Sequence, residues 1–484
     1  MFTCFRCPLI SAFSPAWQTG MAAALLLGLA GCATPQGSQR AKDVELPAAW
    51  SVASGAGPGQ AQSAPDRTVW WQQFNDPELS RLEALALQTN ASVLSAQAAL
   101  AQARALRDAA ASALWPSLDG SASAQGSRNE GKSAHSYQLG LDARWAPDVF
   151  GNRRSALNAS EANAQALNAS LADVQLAVAS ELALDYISLR STQARLAIAQ
   201  ENLASQQETL QITQWRQQAG LVTMLEAEQA RAAAAQTRAQ LPLLEISLAQ
   251  SRHALAVLSG QAPAALETEL AEARELPQGP ANFAFNLPAE TLRQRADVRA
   301  AELQVSAALA RVAQADAARW PSFSLSGSIG LNALSLGGSS STVSSLLAGV
   351  TLPIFDAGAL RAQVRVQQAA LTQAEASYRA TVLTALKEVE DALVALRGDR
   401  QRVGDLVQAA EAARAAAALA RQRYGSGLVD FQTVLETQRN QLSTQDAVAS
   451  AAALVSADQV RLFQALGGGW RRDEDNENSM RSLP

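Results

Sequence analysis

The 484-residue chain is 48% hydrophobic but only 5% aromatic and 17% charged, with 2 His, 3 Cys and a formal net charge of -5. Neutralising phosphates takes clustered Lys and Arg, so this balance argues against nucleic acid as a partner, and so few His and Cys leave little for catalysis. Alanine replaces the missing aromatics; it has the highest helix propensity and no side-chain entropy to lose, which points to long, closely packed helices rather than thick cores. In chain order, residues 21–30 form an apolar run of about ten residues, too short to span a bilayer and the right length for a signal-peptide core. No later segment reaches ~18 uninterrupted apolar residues, so any integral membrane contact must be made by strands.

Cys4 and Cys7 precede the apolar run, and Cys32 closes it in Leu29-Ala30-Gly31-Cys32. That tetrapeptide resembles a bacterial lipobox. The resemblance implies that residues 1–31 are a lipoprotein signal peptide and that Cys32 is acylated as the first mature residue. Its covalent lipid is then the sole cofactor expected, and one remaining cysteine leaves no disulfide. Ala33 in place of Asp implies sorting to the outer membrane. The stretch before the apolar run is long and carries only Arg6, so Met21 is an alternative start. Residues 32–68, rich in Pro, Gly, Ser and Gln, read as a lipidated extended tether.

The rest of the chain is a duplication. Asn90-Ala-Ser-Val-Leu-Ser-Ala-Gln matches Arg295-Ala-Asp-Val-Arg-Ala-Ala-Glu, and Trp115-Pro116-Ser117 matches Trp320-Pro321-Ser322, both 205 residues apart. Gly151, Glu181, Arg216 and Gly220-Leu221-Val222 match Gly358, Glu388, Arg423 and Gly427-Leu428-Val429, 207 apart. This period exceeds that of solenoid repeats and marks a domain-sized unit. The predicted organisation is a first repeat at 69–259, a connector at 260–287, a second repeat at 288–466 and a polar tail at 467–484.

Each repeat opens with an Ala-rich helical segment, 77–114 or 288–319, ended by Trp-Pro, because Pro and the residue before it leave helical geometry. Two strands follow. Phe323, Leu325, Ile329 and Leu331 alternate with Ser and Gly, as do Leu346, Ala348, Val350, Leu352 and Ile354; Tyr137, Leu139, Leu141, Ala143 and Trp145 repeat the pattern, and 118–124 is a weaker case. A stretch of about ten alternating residues suits a transmembrane strand. A long helical run then follows in each repeat, interrupted at Gly220 and at Gly425/Gly427, with Gly398 and Gly404 as possible bends. Each run reads as a helical hairpin with its turn at a Gly-Leu-Val tip. His135 is expected in the loop between the first two strands and His253 on a helix surface; neither has metal-ligand spacing, and no catalytic or metal-binding residue is assigned.

Four amphipathic strands cannot cross a bilayer as an open sheet, because both edges would leave backbone groups unpaired in hydrocarbon. Two copies give 8 strands and three give 12, and both even numbers are allowed. Trp115, Trp145, Trp320 and Phe355 fall near strand ends, where interfacial aromatics sit or where they pack helix-to-strand corners.

Across about residues 29–470 the chain resembles the TolC-like outer-membrane efflux family, and within it the nodulation-T-type lipoproteins of resistance-nodulation-division pumps. The motifs are the lipobox, Trp70-Trp71-Gln-Gln-Phe74-Asn-Asp76-Pro77-Glu-Leu79, the two Trp-Pro steps, Pro147-Asp-Val-Phe-Gly151-Asn-Arg, Leu352-Pro-Ile-Phe-Asp-Ala-Gly358, Arg423-Tyr424-Gly-Ser-Gly427-Leu-Val and Ala465-Leu-Gly-Gly-Gly-Trp470. The resemblance implies an α+β membrane protein, a homotrimer whose four strands per chain form a 12-stranded outer-membrane β-barrel continued by a periplasmic α-barrel. It implies a periplasmic adaptor and an inner-membrane resistance-nodulation-division transporter as partners, outer-membrane lipid around the barrel, and passive conduction of exported small molecules. Gly220, Leu221, Val222, Gly427, Leu428 and Val429 match the adaptor-docking tips. Tyr424 matches a gate tyrosine, and Glu226 its acidic partner. Asp430 and Glu436 are candidates for a carboxylate ring at the constriction, whose members would raise one another's pKa; Thr433 stands where some relatives carry an acid. The alternatives are a type I protein-secretion outer component and a periplasmic coiled-coil structural lipoprotein.

Overall fold

The computed structural model describes residues 47, 50, 67–129, 132–280, 288–334 and 339–468. Cys32, most of the tether and the tail beyond residue 468 lie outside them. After a 3-10 stretch at Arg67–Phe74, the chain forms α1 (Pro77–Thr89), α2 (Ala91–Ser112), β1 (Ser117–Asn129), β2 (Lys132–Trp145), α3 (Asn152–Gln218) and α4 (Met224–Leu258). Then come α5 (Pro288–Gln294), α6 (Ala296–Ala317), β3 (Ser322–Ala333), β4 (Ser340–Thr351), α7 (Ala359–Gly425) and α8 (Phe431–Ala465). The elements of the second half copy those of the first: α2 and α6 start 205 residues apart, and α3 and α7 start 207 apart.

The long helices α3 and α7 have 67 residues each, about 100 Å at 1.5 Å per residue. Both start after a left-handed Gly, Gly151 or Gly358, which has no side chain to cap with. An upstream Asp supplies the cap instead. Asp148 accepts from the amides of Arg153 and Arg154, and Asp356 from those of Gly358 and Leu360. α7 runs unbroken through Gly398 and Gly404. α4 likewise continues through Pro242, which leaves the carbonyl four residues earlier without its helical donor.

The opening helical segments break in two, at Asn90 and at Arg295. Asn90 Oδ1 caps α2 by accepting from the Ser92 and Val93 amides, while its Nδ2 donates 2.9 Å to the carbonyl of Leu258, the last residue of α4. In the second half Arg295 Nη1 donates 2.8 Å to the carbonyl of Ala465, the last residue of α8. Each break residue thus ties the short helix to the end of the returning hairpin arm, so the two together continue alongside α3 or α7.

The largest core forms here. Trp70 stacks on Phe463 at 5.4 Å and packs with Leu79, Leu82, Leu182 and Leu255; each buried Leu contributes about 1.5–3 kcal/mol. Asp76 caps α1 through the Glu78 and Leu79 amides and accepts the Tyr186 hydroxyl at 2.8 Å, and Arg190 donates to that same hydroxyl. This explains the aromatic run before Asp76-Pro77. Trp50, inside the segment read as a tether, is 5% exposed and packs against Val389, Leu393, Leu396 and Leu462, so the tether is docked at that point.

The strands form one antiparallel sheet, β1-β2-β3-β4. Its register separates two faces: Leu139 lies opposite Ala122 and Leu331, and Leu141 opposite Gly120 and Ile329, while Gln138 pairs with Ser123 and Asn332 on the other face. The apolar face is bare in the single protomer, with Leu346 79% and Val350 65% exposed. β1 and β4 each have one neighbour, leaving two open edges. The weaker alternation at 118–124 belongs to a full strand, and His135 lies within β2 opposite Gly126 rather than in a loop. The cause is pairing: a Ser- and Gly-rich strand with little apolar signal of its own is held by the ladder of its neighbour. Among the described residues no helix is long and apolar enough to cross a membrane.

Candidate functional site

The hairpin tips are built alike. Gly220 and Gly427 take left-handed φ of 72° and 75°. Gly220 N donates to Gln217 O and Leu221 N to Arg216 O, and Gly427 N and Leu428 N donate to Tyr424 O and Arg423 O. Both are Schellman turns, in which Gly avoids the Cβ cost of the left-handed residue. Leu221 and Leu428 project at 74% exposure each, beside Val222 and Val429, which are partly covered.

Just inside the tips the two hairpins are latched together. The Tyr424 hydroxyl on α7 donates to Glu226 Oε2 on α4 at 3.1 Å. Its ring lies between Phe431, at 5.4 Å, and the Arg216 guanidinium, at 4.8 Å. Burial, with the Glu226 carboxylate beside it, holds the Tyr424 hydroxyl above its ordinary pKa, so it stays a protonated donor at neutral pH. Arg216 also donates to the Tyr424 and Gly425 carbonyls, at 3.0 and 2.6 Å. Those carbonyls close α7, the negative end of its dipole.

Arg216 was legible as a repeat anchor but not as a latch, because its partners lie 208 and 209 residues away. A periodic signal does point to it. Arg195, Asn202, Thr209 and Arg216 recur every seven residues on α3, and each bonds to the second hairpin. Arg195 makes a two-pronged contact with Asp446, Asn202 Nδ2 donates to Gln445, and Thr209 Oγ1 accepts from Gln438. A seven-residue polar stripe fits one helix side facing a supercoiled neighbour.

The other two acidic candidates stand apart from this latch. Asp430 is the N-cap of α8, its Oδ1 accepting from the Thr433 hydroxyl at 2.6 Å and the Thr433 amide at 2.9 Å. These bonds hold its carboxyl below the usual range. Glu436, six residues on, is exposed and accepts from Gln432 at 2.9 Å. Among the described residues no group of three or more His, Cys, Asp or Glu could hold a metal.

Residues 82–261 and 287–468 match the sequence profile described as Outer membrane efflux protein. The chain belongs to that family. It is 32% identical over 465 residues to the pyoverdine export outer membrane protein OpmQ of Pseudomonas putida, covering 93% of this chain and 97% of the relative. It is 32% identical to nodulation protein T of Rhizobium leguminosarum, covering 85% and 87%. The toluene efflux pump outer membrane protein TtgI of Pseudomonas putida is 31% identical, covering 82% and 86%. Among solved structures the outer-membrane channel OprN aligns with a TM-score of 0.81 at 35% identity, covering 88% of this chain and 98% of that one. VceC of Vibrio cholerae aligns at 0.77 and 27%, covering 84% and 99%. Like these family members, the chain has the TolC-like fold of an outer-membrane channel and serves as the outer-membrane channel component of an efflux pump.

Proposed function

We propose that three copies close their four-stranded sheets into a 12-stranded barrel, anchored by an acyl chain on Cys32, and conduct small exported molecules passively from a periplasmic adaptor and an inner-membrane resistance-nodulation-division transporter. The observation that carries this is the sheet itself: an apolar face bare to solvent and two open edges demand partners in hydrocarbon. Three sheets give an even strand count of a size known for such barrels. Drugs or other toxic compounds are the cargo class, supported by relatives named for pyoverdine export and toluene efflux. The Gly220-Leu221-Val222 and Gly427-Leu428-Val429 tips dock the adaptor, and the Tyr424–Glu226 pair closes the tunnel at rest.

Purified protein from outer-membrane fractions should run as a heat-modifiable trimer with β signal, and palmitate label should be lost in Cys32→Ser. A purely helical protein soluble without detergent would support the spacer alternative and overturn the channel. Tyr424→Phe combined with Glu226→Ala should raise single-channel conductance in planar bilayers; unchanged conductance counts against the gate. The Ala465-Leu-Gly-Gly-Gly-Trp470 ending and the lipobox favour efflux over type I protein secretion.

A further inference from the structure

The two tips share a backbone but use their capping residues differently. Thr223 and Asp430 are the N-caps of α4 and α8, with φ/ψ of -84°/159° and -77°/164°. Each is followed three residues later by a polar side chain, Glu226 or Thr433. In a Thr-x-x-Glu box the hydroxyl accepts from the third-residue amide and the carboxylate accepts from the cap's own amide. The α8 cap is made, with Asp430 bonded to Thr433. At α4 it is not: Thr223 makes no side-chain cap bond, and the Glu226 carboxylate is turned to the Tyr424 hydroxyl.

We propose that Glu226 is a two-position carboxylate, held by Tyr424 when the hairpins are latched and by the α4 cap when they part, which makes Thr223 a positioning residue for opening. This rests on the gate reading of Tyr424 and Glu226. No backbone change is needed for the transfer, because Thr223 already holds the conformation that supports the finished cap in the other tip. The positive end of the α4 dipole favours a carboxylate there. Bonds gained at the cap offset the bond lost at Tyr424, so parting costs less than it would with no cap waiting. The second tip has no such exchange, since Asp430 is already bonded.

The test uses the full-length trimer in planar bilayers. Tyr424→Phe should raise open probability, and adding Thr223→Val should cut that gain about fivefold, the usual worth of an N-cap. Thr223→Ser, which keeps the hydroxyl, should preserve the gain. Hydrogen exchange gives a second readout: the first-turn amides of α4 should be better protected in Tyr424→Phe than in the parent, and Thr223→Val should abolish that protection. A Tyr424→Phe gain untouched by Thr223→Val, with α4 exchange unchanged, overturns the two-position carboxylate while the latch stands. A Tyr424→Phe variant that gates like the parent removes the latch and this proposal together.

Discussion

Replacing Arg216 with Met should loosen the tip. The change deletes two charge-assisted bonds to the last carbonyls of α7, at 3.0 and 2.6 Å, and a guanidinium 4.8 Å from the Tyr424 ring. A bond from a charged donor contributes about 1.5–3 kcal/mol when buried, and Arg216 is only partly covered, so the low end applies to the pair. The ring contact adds about 0.5–1 kcal/mol. The latch should therefore lose ~2–2.5 kcal/mol per protomer, about 30- to 70-fold in the balance between latched and parted states. Met keeps the side-chain length and apolar stem, which limits the packing change. Single-channel recording should show a higher open probability, with Arg216→Lys between parent and Met because it keeps the charge but loses the planar fork. Circular dichroism and trimer mobility would confirm that the variants are assembled. If assembled Met and Lys variants gate like the parent, Arg216 is no latch and the reasoning from its contacts fails.

Asp76→Ala removes the α1 cap and leaves the Tyr186 hydroxyl without its acceptor, so it should destabilise the protein by about 2–4 kcal/mol, read from denaturant unfolding in detergent. Gly260→Ala should cost more than Gly220→Ala. Both positions have left-handed φ, 70° and 72°, but a Cβ at 260 would sit 2.7 Å from the Thr89 carbonyl oxygen, whereas at 220 it meets nothing within 4 Å. About 1 kcal/mol is expected at 220 and over about 2 kcal/mol at 260, and equal midpoints would refute the clash. Glu83 is fully buried with neither oxygen bonded, and burial raises its pKa well above the ordinary value near 4.5. The folded state keeps this proton where the unfolded chain releases it, so stability should fall as pH rises above the unfolded value. Glu83→Gln should raise the melting midpoint at about pH 8 and flatten its decline from about pH 5; identical pH profiles would show that Glu83 is not held neutral.

Much of the architecture was legible because it is enforced locally. The absence of Pro and Gly from 152 to 219 leaves nothing to end α3 early, and Gly220 and Gly427 stop the long helices where a left-handed residue is required. Alternation in 137–145 and 323–331 set strand type and face, since side chains on a strand alternate whatever lies beyond them. Duplication then located the weak first strand by analogy with its stronger copy at 322–331.

What the local pattern left open was decided between segments far apart in the chain. Thr223-x-x-Glu226 has the form of a helix cap, yet the Tyr424 hydroxyl takes the carboxylate. Asn90 and Arg295 occupy equivalent breaks, yet one caps its helix by itself and the other, with no side-chain cap bond of its own, relies on Asp297, Glu388 and the Ala465 carbonyl. Trp50 reads as part of a polar tether until α7 and α8 provide an apolar groove for it. Propensity and periodicity act within a few turns of the chain and so determined the helices, strands and tips. Which polar group meets which across two 67-residue helices depends on their packing and register, and only the tertiary structure fixes that.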